Sequence, residues 1–537
     1  MSRQPLVSIL IPTYNRPHYF HQALQSALHQ TYCNIEIIVC DDSSDHRTAD
    51  LIAPYLAQHP QIKYVKNERQ LGEQNWNRCM QLSQGEFINF LMDDDLFHLR
   101  KIESMMPFML NDPKIYWVTS YRQMIDGNGV PLPDNPANAR LYPETRVLDG
   151  QELASTALSR CQNVIGEPST VLFRRKSLTG PFGNFNGNQY HGLNDLATWV
   201  SLSRGKAVYI PEALSFFRVH PEQNQTKIEY LTSAIYEWLI LLRDAMHTGV
   251  FKRVNDVRNG FLNHQSMSAG LIEIAASRNR HDLLEKNKAR DVVAYLDEVL
   301  SYSCSLCGSK FKQFVPWPDL YDFPKVIWEM WNKQTAVCPA CGAMDRERMY
   351  KLFIERETDL LKNSGEPRKL LNVSPERALR NWLASVPNLQ QVPADIAPGP
   401  GLRRIDFRRL PFPDNYFDIL LASHVLQRAA DDCQAMRELH RVLKPEGWGI
   451  VQVPVALNLH ETYEDPSVKS PAARKKMFGQ SDHRRIYAKD YVDRLKNSGF
   501  FVHEFRFAQR YGLAETMKFG FSEKDVLYVV SRKRKWR

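Results

Sequence analysis

Long apolar runs are missing from this 537-residue sequence. Its most hydrophobic helical stretch, Tyr230 to Met246, is broken by Glu237, Arg243 and Asp244, which excludes a membrane span there. The opening MSRQPLVSILIPTYN turns polar after an apolar run of strand length, too short for a secretory signal core and its cleavage site. Scattered cysteine is sparse: Cys33, Cys40, Cys79, Cys161 and Cys433 stand apart and leave an odd number, unlike a disulfide framework. No charge of one sign dominates, because 69 Lys and Arg face 60 Asp and Glu for a net +9. An excess that small suits anionic small molecules, a membrane surface or nucleic acid alike and selects none of them. Repeats and low-complexity segments are also absent, and 43% hydrophobic with 24% charged residues excludes a disordered or fibrous chain. A globular protein of a reducing compartment is expected, cytoplasmic and with room for peripheral contact at a membrane.

At about 150 residues per domain, this length corresponds to three or four domains. From Leu6 to about Phe217 the runs VSILIP, IEIIVC, EFINFLM and IYWVTS alternate with helical or loop stretches. That alternation predicts a parallel or mixed α/β sheet. From about Lys227 to Tyr302 the pattern is helical, with Leu231, Ile235, Trp238, Leu242 and Met246 at helix spacing. A cysteine-bearing tract follows and leads into a helical run from Arg346 to Leu361. After a break at Gly365 to Pro367, strands are expected at KLLNV, FDILLAS, WGIVQVP and DVLYVVS. The basic end, Arg532 to Arg537, reads as a solvated tail, with contact to anionic lipid or nucleic acid as the alternative.

Parallel strands present their ligand-binding loops at the carboxyl ends. Here the first strand runs into Pro12-Thr13-Tyr14-Asn15, the second into Asp41-Asp42-Ser43-Ser44-Asp45, and FINFLM into Asp93-Asp94-Asp95. Adjacent carboxylates repel one another unless a cation sits among them. A hard divalent ion, Mg2+ or Mn2+, matches oxygen ligands and can bridge to a diphosphate. One such cluster alone reads as a solvated turn; three at successive strand ends read as a site.

The stretch VSILIPTYNRPHYFHQALQSALHQTYCNIEIIVCDDSSD, followed by GEFINFLMDDDLFHLRKIE, resembles the family-2-type glycosyltransferases of GT-A fold over roughly the first 220 residues. The resemblance implies inverting transfer of a sugar from a nucleotide diphosphate to an acceptor hydroxyl. It implies that Pro12, Thr13, Tyr14 and Asp42 hold the nucleoside, with Tyr14 near the base and Asp94 beside the nucleotide sugar. Asp93 and Asp95 would be the ends of an Asp-x-Asp metal motif, with Asp95 touching the ion. Asn194-Asp195 falls where the family carries a Glu-Asp pair, which makes Asp195 the candidate base and leaves Asn194 as a departure at the supporting position. His220, in RVHPEQN, matches a histidine near the metal and phosphates, and Gly166-Glu167-Pro168-Ser169 reads as a loop, with a lining of the acceptor side as the alternative. Charge developing on the diphosphate calls for a metal, and the acceptor hydroxyl calls for a base.

In the middle of the chain, CSLC and CPAC place Cys304, Cys307, Cys338 and Cys341 in two Cys-x-x-Cys pairs, each followed by glycine. Two intervening residues let both sulfurs of a pair bind one ion from a tight turn, and four thiolates without histidine predict a closed structural Zn2+ site. Disulfides are the alternative, disfavoured in a reducing compartment. The 30-residue spacer, 308–337, holds Trp317, Trp328 and Trp331 and is expected to pack as a small module. It lacks the dense basic and aromatic surface of a nucleic-acid binder.

From Arg368 on, KLLNVSPE, VPADI and RRIDFRRLPFPDNYFDILLASHVLQRAADDCQAMRELHRVLKPEGWGIVQVP resemble a class I S-adenosyl-L-methionine-dependent methyltransferase of Rossmann-like fold. CGAMDRERMYKLF resembles the zinc-binding prelude of some such domains. The resemblance implies that Asp395 binds the cofactor ribose, that Asp406 lies near the adenine, and that Asn372 to Glu376 replaces the first cofactor loop. That loop has no glycine, and Gln427-Arg428 stands where many relatives have Glu-His. His460, Asp482 and His483 fall on the substrate side.

The expected architecture is α/β throughout: a GT-A nucleotide-sugar-binding domain at 1–225, a helical connector at 226–300, a four-Cys zinc module at 301–362 and a Rossmann-like methyltransferase domain at 365–537. The expected function is sugar transfer followed by methylation of the same glycan. Its partners would be a nucleotide-sugar donor and a glycan or lipid-linked acceptor, with no nucleic acid. A glycosyltransferase with a degenerate methyltransferase-like binding module is the alternative, and a zinc-dependent RNA-binding or RNA-modifying protein is a further one.

Overall fold

The computed structural model describes residues 4–136, 138–223, 227–317, 326–330, 332–362, 366–397 and 399–536. Trp331, Gly365 and Arg537 lie outside the described residues. The chain divides into two compact units, Met1–Glu298 and Val299–Arg537.

The first unit is built on one open sheet. Its strands are β1 (Val7–Thr13), β2 (Ile35–Asp41), β3 (Ile62–Lys66), β4 (Phe87–Phe90), β5 (Leu96–Phe97), β6 (Ile115–Ile125), β7 (Arg146–Asp149), β8 (Leu172–Arg174) and β11 (Lys206–Arg218). Asn184–Phe185 and Asn188–Gln189, β9 and β10, form a separate hairpin. The sheet order is β3-β2-β1-β4-β8-β6-β11-β5, with β7 also paired to β11. Every residue of β1 is buried, as expected for a strand covered on both faces, so its sequence is a continuous apolar run rather than an alternation. Helix Pro17–Leu28, opened by proline at its first position, packs Phe20, Ala23, Leu24 and Ala27 into the core; helix Lys101–Asn111 adds Ile102, Met105, Met106 and Met109. Because β1 runs parallel to both β2 and β4, the loops after all three strands emerge at one edge. Helices Ile228–His247, Val254–Ser277, His281–Lys286 and Ala289–Val299 follow the sheet, and Asn263 Nδ2 donates to Ser159 O at 2.7 Å to fasten the second of them to helix Gly150–Arg160.

In the second unit, β12 (Tyr302–Ser303) and β13 (Lys310–Phe311) belong to the cysteine tract. The main sheet comprises β14 (Arg368–Val373), β15 (Leu389–Asp395), β16 (Arg403–Arg404), β17 (Phe417–Ser423), β18 (Leu443–Gln452), β21 (Phe501–Arg506) and β22 (Val526–Ser531), while β19 (Tyr463–Glu464) and β20 (Arg485–Ile486) pair separately. The order is β16-β15-β14-β17-β18-β22-β21, with only β22 antiparallel to its neighbours. All four expected strands lie in this sheet, which is the Rossmann-like arrangement, and the order reverses at β14, so a crevice opens beyond the carboxyl ends of β14 and β17. Helix Asp345–Glu357, which follows the second cysteine pair, lays Met349, Phe353 and Ile354 into one core with Leu370, Ile419, Trp448 and Phe505 of the sheet. The cysteine tract is therefore bound into the same body as the sheet.

Among the described residues no helix is long and apolar enough to cross a membrane.

Two glycines test the packing. At Gly85 an added Cβ would lie 2.6 Å from Ser8 N and 2.9 Å from Leu6 O, both backbone atoms at β1. Gly85→Ala is expected to cost about 1–3 kcal/mol in urea unfolding. Gly270, inside helix Val254–Ser277, meets nothing within 4 Å, and Gly270→Ala should add up to about 1 kcal/mol. Equal stability of the two variants would contradict the close approach of segment 85–87 to β1.

Candidate functional site

The loops after β1, β2 and β4 surround one cavity of about 520 Å3, lined by Pro12, Thr13, Tyr14, Asp42, Asp93 and Trp76 among others. Asp42 accepts hydrogen bonds from Asn67 Nδ2 at 2.5 Å and from the backbone N–H groups of Leu71 and Gly72 at 2.9 and 2.8 Å, which folds segment 67–72 over the cavity. Gly72 has φ +57, a conformation that favours glycine. Tyr14 is 44% exposed, unusual for a large aromatic, and its ring borders the cavity.

The three aspartates after β4 point three ways. Asp93 turns to the β1 loop: its Oδ2 accepts from Thr13 Oγ1 at 2.9 Å and from Tyr14 N at 3.1 Å. Asp94 accepts from Arg16 at 2.9 Å and lies 3.1 Å from His220 Nε2. Asp95 has no exposed surface; it accepts from Ser169 Oγ at 2.5 Å and from Arg218 N at 3.0 Å. Burial, with Asp94 adjacent, raises the Asp93 pKa to about 6 and pushes that of Asp95 well above the ordinary carboxylate range. Asp95, expected at the ion, is thus committed to the protein interior, and the carboxylate next to the histidine is Asp94. The Asp94 carboxylate is the donor type that suits Mg2+ or Mn2+, ions commonly held by one or two carboxylates together with substrate phosphates, and His220 stands beside it.

Asp195 opens helix Asn194–Leu202 and is half-buried. Its Oδ2 accepts from Asn163 Nδ2 at 2.7 Å and its Oδ1 from Leu196 N at 2.6 Å. Burial lifts its pKa to about 7, Leu196 N–H opposes the rise, and the nearby Glu167 carboxylate adds to it. Glu167 is itself paired with Arg122. Asn163 Nδ2 also donates to Gly166 O at 3.2 Å, so loop 163–169 holds Asp195 at one end and, through Ser169, Asp95 at the other. The tract Gly166–Ser169, read from sequence as a plain loop, is the brace between the two carboxylates. Arg16 and Arg218 were not singled out from sequence; their local signals are that Arg16 adjoins Asn15 and Arg218 stands two residues before His220.

In the second unit the four cysteine sulfurs lie within 4.8 Å of one another, with Cys304–Cys341 at 3.7 Å and Cys307–Cys338 at 3.8 Å. Four sulfurs about 2.3 Å from a common tetrahedral ion would be about 3.8 Å apart, so the cluster can hold a metal ion. Each pair sits in a tight turn closed by Gly308 N–H to Cys304 O and Gly342 N–H to Cys338 O, with both glycines at positive φ. Arg348, fully buried, donates to Thr335, Ala336 and Ala343 carbonyls and ties the second turn to helix Asp345–Glu357.

At the crevice of the second sheet, Ser374 has φ 50, the left-handed conformation that a glycine would hold more cheaply. Its hydroxyl donates to Asp395. Arg428 crosses the crevice, donating to Ser374 Oγ at 3.2 Å and pairing with Asp395 at 3.7 Å and Asp482 at 3.0 Å. Asn372 is buried and donates to Gln391, and Glu376 pairs with Arg346; both expected cofactor residues are therefore engaged by protein. Asp406 is paired with Arg408 and borders a cavity of about 640 Å3 with Ile396, Phe407 and Ala429. Its wall is mixed: Ile396, Ile405 and Phe407 would offer apolar surface to the nucleoside half of S-adenosyl-L-methionine, while Arg404, Arg408, Arg409, Arg428 and Arg484 make the rest of it cationic. Asp482 and His483 line a second cavity next to it, and His460 does not.

Residues 8–178 match the family model described as glycosyl transferase family 2, and residues 375–451 match that of a methyltransferase domain. The chain is 29% identical over 219 residues to the putative teichuronic acid biosynthesis glycosyltransferase TuaG of Bacillus subtilis, covering 40% of this chain and 80% of that protein. It is 36% identical over 117 residues to the UDP-Glc:alpha-D-GlcNAc-diphosphoundecaprenol beta-1,3-glucosyltransferase WfaP of Escherichia coli, covering 22% of this chain and 46% of that protein. Among solved structures, the mannosyltransferase PcManGT from Pyrobaculum calidifontis in complex with GDP-Man and Mn2+ is 16% identical, with a TM-score of 0.37 over 55% of this chain and 85% of that one. The chain thus joins a domain of the family 2 glycosyl transferases to a methyltransferase domain.

Proposed function

We propose that the first unit transfers a sugar from a nucleotide diphosphate to an acceptor hydroxyl with inversion, and that the second methylates the same glycan from S-adenosyl-L-methionine. The observation that carries the first half is the loop 163–169, which braces a half-buried carboxylate of near-neutral pKa, Asp195, against the acidic cluster at the edge of the 520 Å3 cavity. Pro12, Thr13, Tyr14 and Asp42 would bind the nucleoside. Asp94 and His220 would hold a divalent ion, with Asp93 fixing the β1 loop beside it. Mg2+ or Mn2+ bound there supplies positive charge against the diphosphate leaving group. Asp195 takes the proton of the acceptor hydroxyl as that oxygen attacks the anomeric carbon from the face opposite the departing phosphate. The acceptor is a glycan or a lipid-linked glycan, a class suggested by the diphosphoundecaprenol in the name of the WfaP relative.

In the second unit Asp395, once released by Arg428, would bind the cofactor ribose, with Ile396, Asp406 and Phe407 around the base. S-adenosyl-L-methionine supplies an electrophilic methyl group when bound. The protein's share is alignment of donor and acceptor. Zn2+ in the four-thiolate cluster would be structural, holding the turn that Arg348 ties to helix Asp345–Glu357. The grip of Arg428 on Asp395 favours, as a second reading, a binding module that takes the cofactor weakly.

These roles separate in experiment. With Mn2+ and a panel of nucleotide sugars, Asp195→Asn should lower transfer at least about 100-fold while donor binding persists. Because the folded-state pKa of Asp195 is raised to about 7 and the base must be ionised, kcat/KM should climb about tenfold per pH unit below 7 and level off above it. A flat profile between pH 5 and 8 would remove Asp195 from the role.

Asp94→Ala should abolish metal-dependent transfer and donor hydrolysis with little change in Tm, whereas Asp95→Ala should cost about 1–3 kcal/mol of stability by stranding Arg218 N–H. The reverse outcome would return the ion to Asp95.

Purified protein should contain one zinc per chain by metal analysis, lost with a fall in Tm in Cys338→Ser. In calorimetry, Arg428→Ala should tighten S-adenosyl-L-homocysteine about tenfold, or ~1.4 kcal/mol. Absence of binding in both forms would leave the binding-module reading standing.

A further inference from the structure

Beyond the carboxyl ends of β17 and β18 lies a cavity of about 290 Å3, close to the lower bound of about 300 Å3 for small-molecule sites. It is separate from the 640 Å3 cavity beside Asp406, and among the described residues Arg428 is the one that lines both. Trp317, Trp328, His424 and Gln427 form part of its wall.

Three polar atoms of that wall are buried without a hydrogen-bond partner among the described residues: Gln427 Oε1, His424 Nε2 and Trp317 Nε1. Buried polar atoms are nearly always satisfied, so three orphans lining one cavity mark a missing polar occupant. Gln427 is only 2% exposed, and its Nε2 donates to His424 O at 2.9 Å, which leaves the carbonyl oxygen as the free acceptor. The indole of Trp317 can only donate. His424 follows β17 with φ 53, a left-handed backbone held by tertiary structure, and burial together with Arg346 and His483 keeps its ring neutral, so Nε2 donates or accepts according to tautomer.

A donor, an acceptor and an adaptable nitrogen complement hydroxyl groups, which both donate and accept, better than phosphate oxygens, which accept. The cavity's arginines are already compensated: Arg428 by Asp482 at 3.0 Å, Arg485 by Glu464 at 2.9 Å, and Arg346 by Glu376. Among the described residues an anionic ligand would find no uncommitted cation there, whereas two indoles offer the flat apolar surface that the C–H face of a sugar covers.

We infer that this cavity is a carbohydrate subsite that seats a neutral pyranose ring against Trp317 and Trp328, with its hydroxyls on Gln427 Oε1, His424 Nε2 and Trp317 Nε1. The inference rests on the reading that the second unit acts on a glycan, and it names the ring chemistry of that acceptor.

The test uses the full chain carrying Asp94→Asn, so that the first unit's donor site is impaired, on an array of immobilised neutral hexopyranosides, 2-acetamido-hexopyranosides and hexuronides. Binding to the neutral sugars is expected, weakened at least tenfold by Gln427→Leu and by Trp317→Leu, while S-adenosyl-L-homocysteine affinity stays within twofold in both. Trp317 is partly exposed, so its variant keeps the test valid where Gln427→Leu unfolds. Preference for hexuronides would overturn the neutral assignment. Neutral-sugar binding indifferent to both substitutions would overturn this subsite and leave the glycan reading intact. No sugar bound while S-adenosyl-L-homocysteine still binds would overturn both.

Discussion

A carboxylate sealed from water must find all its partners in the protein, and Asp95 is such a group. It gathers the end of β4, the loop that carries Ser169 and the end of β11 at Arg218 around one buried carboxyl group. Arg218 reinforces the junction, since its guanidinium donates to Asp94 O at 2.7 Å and to Gly127 O at 3.0 Å while lying over the Tyr19 ring. With Asp95 fixed inward, the chain can only present Asp94 to His220 and Asp93 to Thr13. The orientation of the whole acidic cluster thus follows from one interior contact set, and the loop from Asn163 to Ser169 extends that order to Asp195.

The second unit is organised by a different constraint, the joining of a cysteine turn to a sheet through one helix. Helix Asp345–Glu357 has apolar residues for the core of the sheet and, on its crevice side, Arg346 against Glu376 and Tyr350 against Ser423 at 3.0 Å. Arg348 fastens the start of that helix to the cysteine turn. A region with little core of its own is thereby made part of the wall of a ligand crevice.

Much of this was legible in the sequence. Continuous apolar runs ending in polar clusters marked β1, β2 and β4, and the paired Cys-x-x-Cys spacing marked the sulfur cluster, because both signals are local. Which of three adjacent aspartates faces the cleft is not local: it is decided by Ser169 and Arg218, 74 and 123 residues away from Asp95. The same holds for Arg428, whose departure from the family pattern was visible but whose reach to Ser374 and Asp395 depends on the order of β15, β14 and β17. Polar atoms left without partners, as at Gln427, carry no sequence signature at all, since the type of a residue does not reveal whether its neighbours answer it.

The helix shared by the cysteine cluster and the crevice has a thermodynamic consequence. Two binding events that bear on one rigid element are linked, and linkage is reciprocal. If an ion on the four sulfurs steadies Arg346 and Tyr350 and so favours occupancy of the crevice, occupancy must raise affinity for the ion by the same factor. The sulfur cluster would then exchange its metal most readily when the crevice is empty, and retention of the ion would report, at a distance, whether the second unit is loaded.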